Sequence, residues 1–287
     1  MTRTDYKLVA LDLDGTVVTS GGTVGRQFPR IVAHLAERGV RCVVCTGRRW
    51  RTALPVVSEI ESAHPAVVCC GGALIKEGQT HETLHALELC RETARQTVRL
   101  YRAAGLVPLL LYDRDLRERE LLVSREDRHR AEERLYVRRN RETVEFYEGE
   151  FPVEIGPPLE VYTVDEVSLI REAEEDIRRE LGERGFVTTL HQPRYRASQW
   201  VIQVHGPEAT KWNALRWLMS RWEVAPEQVV AIGDDVNDVP MLRAAGLSFA
   251  MANAVPAAKE AADRITGSND EDGVARALES VFSGVFA

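Results

Sequence analysis

Short apolar runs alternate with helix-length amphipathic stretches at the beginning of this chain and again near its end, and few folds accept that pattern. Residues 7–13, 40–45 and 66–70 are apolar and strand-like, and stretches with helical periodicity at 28–38 and 49–60 separate them. Strand, helix, strand, helix, strand with short links predicts a parallel sheet covered by helices on both faces. The C-terminal segment repeats the order: a helix over 210–222, a strand at 229–232, a helix at 239–245, a strand at 248–251 and a last helix over 272–282. Asp272 and Asn269 stand near the start of that last helix as candidate caps.

The middle of the chain does not follow this rhythm. A long helix over 87–104 runs to Gly105, a strand at 107–112 leads into a heavily charged stretch, and the strand at 159–164 precedes a helix over 167–183. Strands at 186–190 and 199–204 close the region. Irregular interleaving predicts an α+β lobe inserted into the α/β core, with core segments 1–81 and 207–287 around an insertion at 82–206. Between Asp113 and Glu142 lie ten arginines and nine acidic residues. Their finely alternating signs suit a solvated lobe surface rather than a nucleic-acid patch.

Charge and composition narrow the function classes. The chain of 287 residues holds 37 basic and 44 acidic side chains, for a formal charge of −7, which argues against nucleic acid as an obligate partner. No apolar run approaches the ~18 residues that span a bilayer. Asp5, Asp12 and Asp14 interrupt the apolar stretch that a signal peptide requires. Five cysteines, an odd number, suit a reducing cytoplasm better than a disulfide framework. Cys42 and Cys45 form a C-x-x-C, but residues three apart on a strand face opposite ways, so core packing is expected there and at Cys69 and Cys70.

The chemistry-bearing residues gather at strand ends. The first strand runs into Asp12-Leu13-Asp14-Gly15-Thr16, two carboxylates one residue apart where open α/β sheets bind ligands. Thr46-Gly47-Arg48 follows the second strand, and Gly233-Asp234-Asp235-Val236-Asn237-Asp238 follows the strand at 229–232. Lys211, one of only four lysines, opens a helix just beyond Gly206-Pro207. One sheet edge therefore receives carboxylates, a hydroxyl and an ammonium.

These four motifs resemble those of the haloacid dehalogenase superfamily, and more narrowly its Cof-type, class IIB phosphatases. Ala250-Met251-Ala252-Asn253-Ala254, Ala262-Asp263 and Glu271-Asp272-Gly273-Val274 follow the same family's pattern. The resemblance implies a doubly wound, Rossmann-like α/β core with an inserted α+β cap of the C2 type. It also implies a cytoplasmic, Mg²⁺-dependent phosphomonoester hydrolase acting on a small phosphorylated metabolite such as a sugar phosphate, as a monomer or homodimer. Asp12 would be the nucleophile that forms an aspartyl-phosphate, and Asp14 the general acid and base. Asp12, Asp234 and the Asp14 carbonyl would hold Mg²⁺. Thr46, Gly47, Arg48, Gly72 and Lys211 would contact substrate, with Thr46 and Lys211 on the transferring phosphoryl group. Asn237 and Asp238 would orient Lys211 and the metal's ligands. None of the core motifs reads the leaving group, so the inserted lobe is expected to close over the site and do so. A phosphomutase using the same intermediate and a catalytically idle binding protein are the alternatives. Two positions depart from the family: Gly71-Gly72-Ala73 replaces the usual Asn-Gly-Ala, and Trp212 follows Lys211 where glycine is common.

A literal H-E-x-x-H at His81-Glu82-Thr83-Leu84-His85 offers a zinc-hydrolase reading. Such a motif works only on one continuous helix, and the turn at Gly78 beside it argues against that.

Overall fold

The computed structural model describes residues 5–60, 66–191 and 199–282. Its strands in chain order are β1 (Leu8–Leu11), β2 (Arg41–Cys45), β3 (Ala66–Cys69), β4 (Leu74–Glu77), β5 (Thr83–Ala86), β6 (Leu109–Leu111), β7 (Leu121–Ser124), β8 (Val144–Tyr147), β9 (Glu160–Glu166), β10 (Phe186–His191), β11 (Gln199–His205), β12 (Val229–Gly233), β13 (Leu247–Ala250) and β14 (Arg264–Ile265). Two compact units form from residues 1–85 with 210–287, and from residues 86–209. They part a few residues beyond the points read from the sequence, because β5 still belongs to the first unit's sheet.

That sheet has the order β14-β13-β12-β1-β2-β3-β4-β5. The six strands from β14 to β3 pair in parallel, and β4 turns back antiparallel on β3. Strand order reverses at β1, which lies between β2 and β12, so the carboxyl ends of these three strands flank the switch point where doubly wound sheets bind ligands. All four side chains of β1 and all five positions of β12 are buried, as expected of parallel strands covered on both faces. The helix Phe28–Glu37 turns Phe28, Ile31, Val32 and Leu35 inward, an i, i+3, i+4, i+7 stripe, and packs beside the helix Gly273–Val281. Helices Lys211–Trp222, Val239–Ala244 and Pro256–Ala261 form a second contiguous row. By the right-handed rule for parallel crossovers, connections that run outward from the switch point in opposite directions place their helices on opposite faces.

The four cysteines of β2, β3 and the turn after it are buried, and burial pushes the Cys42 thiol up to about 12 and Cys45 higher still. They are inert core residues. The last helix begins differently from expectation. Asp272 has φ 54° and makes no side-chain cap, because a Ser268–Glu271 capping box closes the preceding turn instead. Asn269 is engaged elsewhere, as described below.

The second unit is a six-stranded sheet in the order β10-β11-β9-β6-β7-β8, antiparallel except for the β7–β8 pair. Helices Arg91–Ala103 and Val167–Leu181 pack against each other, and their Val98, Tyr101, Ile170 and Ile177 share one apolar cluster with Leu110, Val161, Ile202 and Val204 of the sheet. The sequence reading missed β7 and β8. Both are four residues long and lie in or just after the arginine-rich stretch, where charge hides the alternation. The charges of that stretch are locally paired. Buried Asp127 accepts from Arg102 and Arg130, each at 2.7 Å, and Arg128 caps the ring of Phe146. No described helix is long and apolar enough to cross a membrane.

Candidate active site

Three strand ends and one helix start meet around Asp12. Asp12 follows β1, its N–H donates to the Ile232 carbonyl of β12 at 3.0 Å, and its side chain is 7% exposed. Lys211 is the first residue of its helix, where the Thr210 hydroxyl caps by accepting from the Asn213 N–H at 3.1 Å. This delivers the ammonium, fully buried, to the sheet edge. Lys211 Nζ donates to Asp12 Oδ1 and Asp238 Oδ1, both at 2.6 Å, and to Asn237 Oδ1 at 3.1 Å. Burial alone would lower its pKa, but Asp12 and Asp238 more than offset that and hold it charged.

Asp238 is also fully buried, and its second oxygen accepts from the N–H groups of Asp234 and Asp235 at 2.9 and 3.0 Å. It is thus spent on fixing Lys211 and the turn that carries Asp234. Gly233 leaves room for this, since a Cβ there would fall 2.6 Å from the Asp238 carboxyl carbon. Asp234 accepts from the Thr16 hydroxyl at 2.8 Å. Gly15 has φ +85°, and a Cβ there would sit 2.2 Å from Asp234 Oδ2, so only glycine lets this loop press against that carboxylate.

Asp12, Asp234 and Asp238 each bring one carboxylate oxygen to within 4.8 Å of the others. Burial and the neighbouring carboxylates raise Asp12 despite Lys211, and burial with Asp238 pushes Asp234 up to about 7. Three carboxyl groups share one ammonium in a largely desolvated place, so ionising all three would leave two negative charges uncompensated. Hard oxygen donors with that surplus match a hard divalent cation.

Thr46 follows β2 and is buried, with its hydroxyl accepting from the Arg48 N–H at 3.0 Å. Gly47 and Arg48 complete the turn. The Arg48 guanidinium makes a two-pronged pair with Asp14, Nε to Oδ2 at 2.7 Å and Nη2 to Oδ1 at 2.6 Å, while Nη1 reaches the Thr52 carbonyl at 3.2 Å. The Asp14 side chain is 53% exposed, unlike that of Asp12. The loop after β3 closes on this turn through Gly71 N–H to Thr46 O at 3.1 Å. Gly72, φ +118°, lies against the start of the lysine helix, and a Cβ there would be 2.2 Å from the Thr210 carbonyl oxygen. Gly72→Ala is therefore expected to cost about 3 kcal/mol in a urea melt, through strain plus displacement of Thr210. A change under about 1 kcal/mol would show that the contact yields easily. Trp212 is half-buried in the first helical turn.

The sequence motifs at Asp12, Asp14, Thr46, Arg48, Lys211, Asp234, Asn237 and Asp238 thus lie together in the first unit. The Thr16–Asp234 contact was not legible beforehand, although Thr16 stands inside the quoted motif. His81 and His85 do not share a helix. His81 sits in a turn with φ 66° and packs edge-on against Trp50, whereas His85 lies on β5 and stacks on Trp217. The H-E-x-x-H reading fails on that geometry.

A family model for haloacid dehalogenase-like hydrolases matches residues 9–278. The chain belongs to that family. Among its relatives this hydrolase is 27% identical over 282 residues to a 5-amino-6-(5-phospho-D-ribitylamino)uracil phosphatase of Bacillus subtilis, covering 96% of this chain and 97% of the relative. A haloacid dehalogenase-like hydrolase from Bacteroides thetaiotaomicron superposes with a TM-score of 0.75 at 25% identity, over 96% of this chain and 100% of that one. The subclass IIB sugar phosphatase BT4131 shares the fold with a TM-score of 0.76 at 18% identity, over 98% and 100% of the two chains. The hydrolase is accordingly an enzyme of the Cof-type phosphatase branch.

Proposed function

We propose that this hydrolase cleaves a phosphomonoester of a small, polyol-like metabolite through an aspartyl-phosphate on Asp12. The observation that carries the reading is the buried Asp12 carboxylate with one oxygen held at 2.6 Å by a fully buried lysine. The contact fixes the carboxylate's orientation, and the lysine's charge favours approach of a phosphate dianion. Asp12 attacks phosphorus, the ester oxygen leaves, and a phosphoryl group remains on the Asp12 carboxylate. Asp14 supplies the proton to the departing oxygen, then takes one from the water that hydrolyses the intermediate. Its greater exposure suits a group that must meet both a leaving group and water. The Thr46 hydroxyl and the Lys211 ammonium hold the phosphoryl oxygens, and Gly47 and Gly72 keep the neighbouring backbone close.

The carboxylates of Asp12 and Asp234, with the Asp14 carbonyl, are the residues that would hold Mg²⁺. When bound, the ion offsets charge on the phosphoryl group and between the carboxylates. Asp238 and Asn237 instead keep Lys211 and Asp234 in place, since their oxygens are already engaged. The B. subtilis relative is named for a substrate with a phosphorylated ribityl chain, which supports a polyol phosphate as the substrate class.

A screen of phosphorylated sugars and sugar alcohols for released phosphate tests this reading. Free phosphate with unmodified alcohol is the expected outcome, while an isomeric phosphate would mean a mutase and no turnover an idle fold. Chelation should abolish activity and Mg²⁺ restore it, and Asp234→Ala should raise the Mg²⁺ requirement at least ~10-fold. Burial and Asp238 push Asp234 up to about 7 and burial raises Asp12 as well, so Mg²⁺ competes with protons for both carboxylates at lower pH. Apparent Mg²⁺ affinity should therefore climb as pH rises through neutrality. Restoration by Zn²⁺ but not Mg²⁺ would contradict the hard-oxygen site.

A further inference from the structure

We infer that Asn253 and Asn269 form a clasp on the loop that carries Asp14, and that both are positioning residues for its proton transfer. The inference rests on the role of Asp14 given above. Asn253 Nδ2 donates to the Gly15 carbonyl at 2.8 Å, across 238 residues of sequence. Asn253 Oδ1 accepts the Asn269 N–H at 3.0 Å, and Asn269 Nδ2 donates to the Val18 carbonyl at 2.9 Å. A neighbouring contact, Ser20 N–H to Asp270 Oδ1 at 2.8 Å, ties the same loop to the same turn. The amide orientation of Asn253 follows from its partners, because a carbonyl must meet its NH₂ and an N–H its oxygen.

Gly15 explains why such a clasp is needed. Its φ of +85° and the closeness of Asp234 demand glycine, and glycine has the widest choice of backbone conformations. A free hinge directly after Asp14 would let the acid swing, whereas proton transfer needs it within hydrogen-bond reach of the leaving oxygen. Arg48 orients the Asp14 carboxylate from the β2 side, and the clasp fixes the Gly15 peptide from the β13 side. Asn253 is exposed, so its amide adds little to core packing.

The test compares two leaving groups in the Mg²⁺-loaded enzyme. Phenyl phosphate needs a proton on its departing oxygen, and p-nitrophenyl phosphate hardly does. Asn253→Ala and Asn269→Ala should each lower kcat/KM, which runs only as far as departure of the leaving group and so excludes hydrolysis of the intermediate, ~30-fold for phenyl phosphate, yet less than ~3-fold for p-nitrophenyl phosphate. Asp14→Asn, run alongside, should show the same selectivity more strongly. Equal losses on both esters in the asparagine variants, or no loss on either, would overturn the clasp while leaving the role of Asp14 standing. Equal losses in Asp14→Asn would overturn the acid assignment itself and the clasp with it. A thermal melt by circular dichroism accompanies each variant. If one variant is unfolded at the assay temperature, the other makes the same comparison, and unfolding of both would make the pair a structural staple and overturn the inference.

Discussion

Asp12→Asn should lower turnover by at least ~10³-fold while leaving the fold intact, because it removes the attacking charge and keeps the shape. The substitution keeps an oxygen able to accept from Lys211, so the 2.6 Å contact has a neutral replacement and the buried lysine retains Asp238. Burial already disfavours charge at position 12, so losing that charge should not weaken the metal-free protein. Phosphate-release kinetics and a urea melt on the same preparation separate the two effects. A fully active variant would remove Asp12 from the chemistry.

Lys211→Met should be worse in both respects. It strips the counter-charge from Asp12 and from fully buried Asp238, and breaking a buried pair from one side costs about 3–5 kcal/mol. Loss of a positive hydrogen-bond donor to the phosphoryl group should lower kcat ~10²–10³-fold as well. The expected signature is a lower urea midpoint together with slow turnover that added Mg²⁺ does not rescue. A melt unchanged from the parent chain would show that the carboxylates neutralise themselves, and that Lys211 is not what holds them.

The part of this site that could be read in the sequence is the part written locally. Asp12 and Asp14 stand out because an apolar strand ends at them and glycine follows. Thr46 and Asp234 stand out for the same reason at the ends of β2 and β12, and Lys211 because lysine is scarce and a helix begins there. Contacts between distant loops left no such trace. Arg48 on Asp14, Thr16 on Asp234 and Asn253 on Gly15 join residues 34, 218 and 238 positions apart, and no spacing rule connects them. Short strands were lost for another reason. β7 and β8 sit in or beside a run of arginines and acids, and β4 and β5 are four-residue arms of one turn. The capping expectation at Asp272 failed because capping depends on backbone conformation, and φ 54° there departs from the extended backbone of a capping residue. His81 and His85 show the converse, a motif complete in letters whose required helix is a turn and a strand.

The covalent role proposed for Asp12 can be tested directly. Mg²⁺-loaded enzyme in excess over p-nitrophenyl phosphate is quenched within one turnover and treated with borohydride, which reduces an acyl phosphate to an alcohol. Peptide mass spectrometry then reads the side chain at position 12. A homoserine side chain is expected there, appearing with the burst of p-nitrophenol and absent without substrate. A full burst of p-nitrophenol with Asp12 unmodified at every quench time would contradict it.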